Sequence, residues 1–131
     1  MVQKNNEQIK KFIEKNKLSA EDYPYEKEWV IREGDNIIGF IGVESSGDNH
    51  YIQSLAVEKD RRKKGIGKRL VEMAKKEYSS LIALTLFWNG RFYEGLGFKK
   101  VNAKETKAKD PIGRLEKHKH CTAYFWKRNK W

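Results

Sequence analysis

Two glycines one residue apart, Gly65 and Gly67, sit in the basic run Arg62-Lys63-Lys64-Gly65-Ile66-Gly67-Lys68. Leu55-Ala56-Val57 ahead of it suits a strand, and the residues after it have helical periodicity. Glycine has no side chain to hold a ligand off the backbone, and the first turn of a helix carries N–H groups with no intrahelical acceptor. Those groups point outward with the positive end of the helix dipole, so strand, basic loop, Gly-x-Gly and helix in this order suit a phosphate. The plainer reading is that the glycines begin a helix and the lysines are solvated. A P-loop requires a longer glycine loop ending in Gly-Lys-Ser/Thr, and a dinucleotide fingerprint requires a third glycine where this chain has Leu70, so both are excluded.

Other reactive side chains are sparse. Cys121 is the only cysteine, which rules out a disulfide within the chain and gives no sign of secretion. His118, His120 and Cys121 form a His-x-His-Cys cluster, half of a metal site with no second cluster to complete it, so no metal is expected.

The elements that must position the loop can be read on either side of it. Ile9, Phe12 and Ile13 share one face of a predicted helix over residues 6–17. Ser19 and Asp22 have capping-box spacing but lead only into a short turn, because Pro24 disfavours helical dihedrals at Tyr23. Residues 28–32 and 37–43 predict a β-hairpin around Gly34-Asp35-Asn36. A second turn at Ser45-Ser46-Gly47-Asp48 leads to a third antiparallel strand at residues 51–57. After the glycines, Ile66, Leu70, Val71, Ala74 and Tyr78 mark the core face of a helix. Residues 81–87 predict a buried strand, residues 92–96 a short helix closed by Gly97, and residues 98–101 extended structure. Pro111 and Gly113 break residues 103–119 into a long loop, and residues 122–126 form a last, aromatic strand that could serve as a sheet edge. There is no internal repeat.

The chain of 131 residues is sized for one core, so a single domain over 1–131 is expected. Lysine and arginine number 28 against 18 acidic residues, a net charge of +10 that attracts anions without choosing among phosphates, nucleic acid, acidic proteins and lipid. No stretch has the length and apolarity of a signal peptide or a membrane span, so no membrane association and a cytoplasmic location are expected.

Arg62-x-x-Gly65-x-Gly67 is followed, after a helix and a strand, by Phe92-Tyr93-Glu94-Gly95-Leu96-Gly97-Phe98. In this order the two motifs resemble the GNAT superfamily of acetyl-CoA-dependent N-acetyltransferases, and the resemblance runs from about residue 29 to residue 101. It implies a mixed α/β (α+β) fold, a twisted and mostly antiparallel sheet flanked by helices. It also implies that acetyl-CoA is bound and its acetyl group passed to an amine. The loop amides of residues 63–68 (Lys63, Lys64, Gly65, Ile66, Gly67 and Lys68), with Arg62 at the first motif position, would hold the pyrophosphate. The preceding strand, through the backbone at Leu55 and Val57 on either side of Ala56, would pair with the pantetheine arm and polarise the acetyl carbonyl. Tyr93 matches the tyrosine that protonates the departing thiolate, whereas Phe92, Leu96 and Phe98 are expected to pack a short helix on the sheet.

One departure concerns the asparagine that the family often places about one helical turn further from the tyrosine than Asn89 is from Tyr93. An ungapped alignment puts Leu86 there, and Asn89 is retained as a contact to the arm. Glu44 and His50, near strand ends, are candidate bases for an acceptor that arrives protonated, although exposure beside a turn explains both. Cys121 lies outside the motifs, so direct attack by the amine is preferred to an acyl-cysteine. The competing readings are a non-catalytic basic module that binds nucleic acid or an acidic partner, and a transferase for longer acyl chains. The acceptor and the oligomeric state are left open.

Overall fold

The periodicity of the N-terminal segment produces helix α1 (Val2–Lys15), with Ile9, Phe12 and Ile13 buried and Lys10, Lys11 and Glu14 exposed. The computed structural model describes residues 2–16, 25–62, 65–86, 90–101 and 121–128. The proposed turn after α1, the 103–119 loop, His118 and His120 lie outside them.

Strands β1 (Lys27–Glu33), β2 (Asn36–Ser46) and β3 (Asn49–Val57) form the expected antiparallel meander. Both hairpin turns use a glycine in the left-handed region, Gly34 and Gly47 at φ 61, which a side chain would strain. A 3-10 turn (Lys59–Arg61) then leads to α2 (Ile66–Glu77), β4 (Ser80–Leu86), α3 (Gly90–Glu94), β5 (Lys99–Val101) and β6 (Cys121–Lys127). The six strands are ordered β1-β2-β3-β4-β6-β5, antiparallel except for β3 and β4, whose parallel pairing requires the crossover that α2 supplies.

The aromatic last strand is not an edge. β6 lies between β4 and β5, because it buries side chains on both faces: Tyr124 joins the cluster under α2 and α3, while Ala123 joins Tyr51 and Ile82 on the other side.

Each face of the sheet is covered by a helix, and on each a glycine admits a close neighbour, Ile66 of α2 on one and Tyr25 on the other. On one face α2 buries Ile66, Leu70, Val71 and Ala74 over Ile41, Val43 and Ile52, and a Cβ at Gly39 would stand 2.8 Å from Ile66 Cγ2. On the other, α1 and Tyr25 pack with Ile37, Phe40 and Ala56, and a Cβ at Gly42 would stand 2.2 Å from Tyr25 Cδ2. The buried Tyr25 ring has no room to yield, so Gly42→Ala should destabilise the fold by about 1–3 kcal/mol. Urea denaturation would check this, and an unchanged midpoint would contradict it.

At the C-terminal end of α2 one nitrogen of Arg128 (Nη2) donates to the carbonyls of Lys75 (3.0 Å), Lys76 (3.3 Å) and Tyr78 (3.0 Å), satisfying groups that the helix leaves without partners. Tyr78 itself stands just past the helix in extended conformation, 8% exposed, its ring 4.4 Å from that of His50. Burial, with repulsion from Glu26, Glu77 and Glu44, pushes its phenol up from 10.0 to about 12. The unfolded chain ionises this group near pH 10, so its stabilising contribution is complete below about pH 10 and lost as the pH rises toward 12. Urea titrations between about pH 9 and pH 12 should therefore show a steeper alkaline loss of stability in the wild type than in Tyr78→Phe. Parallel curves would remove the effect.

Candidate active site

The site begins with an irregularity in β3. Gly42 of β2 pairs with Ser54 and Val43 pairs with Ile52, so Gln53 is an extra residue, a β-bulge that bends its strand. β3 meets β4 at only two places, Tyr51 with Ile82 and Ile52 with Ala83. Past them β3 continues to Val57 and β4 to Leu86 without pairing to each other, so a gap opens inside the sheet at the carboxyl ends of two parallel strands.

The hydrogen-bond phase of β3 decides which backbone groups face this gap. Glu58 N donates to Ile38 O at 2.8 Å, in register with the pairs Val57–Gly39 and Ala56–Phe40. Alternate residues of an antiparallel ladder bond to the partner strand, so Ser54 and Ala56 turn their backbone toward β2, while Leu55 and Val57 turn theirs into the gap. Ala56 provides the spacing between them, with its side chain buried under α1.

The gap ends at the N-terminus of α2. Gly65 caps the helix in left-handed conformation (φ 80, ψ 8) with no side-chain cap, and the first helical bond is Arg69 N to Gly65 O at 3.0 Å. The N–H groups of Ile66, Gly67 and Lys68 thus have no acceptor within the helix. Among the described residues a Cβ at Gly65 would meet no heavy atom within 4 Å, and Lys68 and Arg69 are exposed beside it. Arg62 bends back, its Nε donating to Val57 O (3.1 Å) and Nη2 to Asn16 Oδ1 (3.4 Å), which fixes the loop to β3 and α1. Lys63, Lys64 and Asn89 lie outside the described residues.

Tyr93 is the buried side chain of α3, next to Phe92. It is 5% exposed, its ring edge-on to Phe92 (5.0 Å) and Phe98 (5.3 Å) and stacked on Tyr124 (6.1 Å). The turn after α3 folds back on it, with Leu96 N (3.0 Å) and Phe98 N (3.1 Å) both donating to Tyr93 O and Gly97 at φ 90. Lys75 of α2 donates to Leu96 O and lies over the rings of Phe98 (5.7 Å) and Trp126 (5.0 Å), which ties α3 to α2. α3 starts at Gly90, where a Cβ would stand 2.0 Å from Tyr124 Oη. Burial first, and Glu94 second, raise the Tyr124 phenol above its ordinary value and keep it neutral.

Phe92 departs from expectation. Leu96 and Phe98 are buried, but Phe92 is 38% exposed, the large apolar side chain left most open among the described residues. Its ring tip lies beside Gly67 of α2, while the 5-residue α3 buries Gly90 and Tyr93. Gln53 and Ser54 are buried polar residues that sequence reasoning passed over, Ser54 Oγ lying 2.7 Å from Tyr25 Oη. Two successive polar residues inside the apolar run Tyr51-Ile52-Gln53-Ser54-Leu55 were the available signal. Glu44 of β2 and His50 of β3 stand at the hairpin joining the two strands, the end of β3 away from Val57, where His50 Nδ1 is 2.6 Å from Ser45 Oγ.

A gap between parallel strands, backbone groups aimed into it, and a glycine-started helix at its mouth can hold an extended ligand that ends in phosphate. Among the described residues no group of three or more His, Cys, Asp or Glu side chains is placed to hold a metal ion, and no helix is long and apolar enough to cross a membrane.

The N-acetylglutamate synthase from Neisseria gonorrhoeae, complexed with coenzyme A and L-arginine, superposes with a TM-score of 0.75 at 17% identity over 97% of this chain. The chain spans only 32% of that protein. An acetyltransferase of the GNAT family from Staphylococcus aureus Mu50 gives a TM-score of 0.71 at 19% identity, covering 96% of this chain and 94% of its own. An aminoglycoside 6'-N-acetyltransferase complexed with coenzyme A gives 0.64 at 19% identity, covering 92% and 87%. At these identities the likeness is one of fold. The family model described as Acetyltransferase (GNAT) domain matches residues 24–100, which contain the bulged strand, the glycine loop and Tyr93, and the chain belongs to that family.

Proposed function

We propose that this protein transfers the acetyl group of acetyl-CoA to a primary amine by direct attack within a ternary complex. The observation that carries the reading is the gap between β3 and β4 with the uncapped N-terminus of α2 at its mouth. Acetyl-CoA supplies an activated thioester on an extended arm that ends in a pyrophosphate, and both parts have counterparts in the chain.

The amides of Ile66, Gly67 and Lys68, with Gly65 leaving the approach open, hold the pyrophosphate, and Arg62 keeps the loop in place from its bonds to Val57 and Asn16. Lys63 and Lys64 extend the same loop. Leu55 and Val57 offer their backbone to the arm as a neighbouring strand would, and their donors polarise the acetyl carbonyl as the amine adds. Asn89 is assigned a contact to the arm. Tyr93 gives its phenolic proton to the sulfur as the C–S bond breaks, and Phe98 and Tyr124 hold its ring for that transfer. The amine attacks in its neutral form and sheds one proton from the tetrahedral adduct to solvent, from which Tyr93 regains the proton it gave to sulfur, so the scheme assigns no base to Glu44 or His50, and Cys121 carries no acyl group.

Calorimetric titration of acetyl-CoA into the purified protein tests the cofactor, and a screen of amines for release of free thiol tests the transfer. The reading requires saturable binding and amine-dependent thiol release. A folded protein that binds no acetyl-CoA would overturn it in favour of a basic binding module, whose nucleic-acid affinity should fall steeply with salt.

A further inference from the structure

The mouth of the gap carries one side chain that the mechanism does not use. Tyr93, Leu96 and Phe98 bury their apolar surface, yet Phe92, in the same short helix, leaves 38% of its own exposed. Its ring reaches across to α2: a Cβ at Gly67 would lie 3.2 Å from Phe92 Cζ and 3.8 Å from Val57 Cγ2. Phe92, the first turn of α2 and the end of β3 therefore meet where the gap opens onto the helix N-terminus. The edge-on contact with Tyr93 at 5.0 Å fixes the tilt of the ring.

We infer that Phe92 is a binding residue whose exposed ring face covers the uncharged, branched aliphatic part of the CoA arm next to the pyrophosphate. The inference rests on the cofactor reading above. A ligand whose phosphates sit on the amides of Ile66, Gly67 and Lys68, and whose arm runs along Leu55 and Val57, must pass this ring. The portion passing it has no charge to satisfy and methyl groups to bury, which matches an aromatic face and no polar partner. Gly67 then has a second use besides backbone approach. Even an alanine there would press on the ring at 3.2–3.3 Å, so the absence of a side chain gives Phe92 its place at the rim.

The test is calorimetric titration of acetyl-CoA at several temperatures into the wild type, Phe92→Ala and Phe92→Leu, with Gly65→Glu as a control for the phosphate loop. Because the ring is partly exposed, both Phe92 variants should fold, which circular dichroism checks. Phe92→Ala should bind about 10-fold more weakly, about 1.4 kcal/mol, with a less negative heat-capacity change, the marker of lost apolar burial. Phe92→Leu, which keeps an apolar contact, should recover most of the affinity. Unchanged or tighter binding by Phe92→Ala, while Gly65→Glu abolishes binding, would overturn the role of Phe92 and leave the cofactor site standing. No binding by the wild type would overturn both.

Discussion

Gly65→Glu should abolish acetyl-CoA binding, a loss of at least about 100-fold in affinity, in a protein that still folds. Gly65 sits at φ 80, where a residue with a side chain is strained by about 1–2 kcal/mol. Among the described residues no heavy atom lies within 4 Å of its Cβ position, so the new side chain starts into open space. Its carboxylate would lie at the positive end of α2, where a negative charge stabilises the helix and offsets part of the strain. The same charge occupies the amides of Ile66, Gly67 and Lys68 from within and repels the pyrophosphate. Calorimetry, with circular dichroism on the same samples, measures both halves of the expectation. Gly65→Ala introduces the strain without the charge and should bind more weakly than the wild type but measurably. Wild-type affinity in Gly65→Glu would remove the start of α2 from the site.

Tyr93→Phe should lower kcat by about 100-fold and leave the dissociation constant of acetyl-CoA unchanged. The substitution removes one hydroxyl and keeps the ring, so the contacts with Phe92, Phe98 and Tyr124 that orient α3 persist. Turnover in the variant must expel a thiolate with only solvent to protonate it. Steady-state rates with an accepted amine, beside calorimetric binding, separate the two effects. Full turnover in a folded variant would reduce Tyr93 to a packing residue, and weaker binding with unchanged kcat would make it a ligand contact.

Much of this arrangement was legible before any coordinates. Ile9, Phe12 and Ile13 mark α1, glycines mark the hairpin turns, and Leu70, Val71 and Ala74 mark the face of α2, because each pattern is local and repeats with the period of its element. The order of glycine loop and Phe-Tyr segment carried the family resemblance for the same reason, and the family model matches over residues 24–100. Three features were not legible, and each depends on residues far apart in sequence. The interior position of β6 is decided by its pairing with β4 and β5, and aromatic content alone does not separate an interior strand from an edge. Gln53 is a bulge only in relation to Gly42 and Val43 of β2. Phe92 read as core because its type and spacing match those of Leu96 and Phe98, and only the seating of α3 beside Gly67 exposes it.

The two-rung junction between β3 and β4 divides the described sheet into an N-terminal half, β1 to β3 with α2 packed on it, and a C-terminal half, β4, β6 and β5 with α3. The glycine loop rides on the first half and Tyr93 on the second, so in the proposed scheme the span from phosphate to sulfur is a length measured across a joint. Two rungs, the core shared under α2, and the links from Lys75 to Leu96 and from Arg128 to the end of α2 set the angle of that joint. The molecule is in this sense a pair of calipers, and a bound arm of the right length is the object that holds its jaws at the working width.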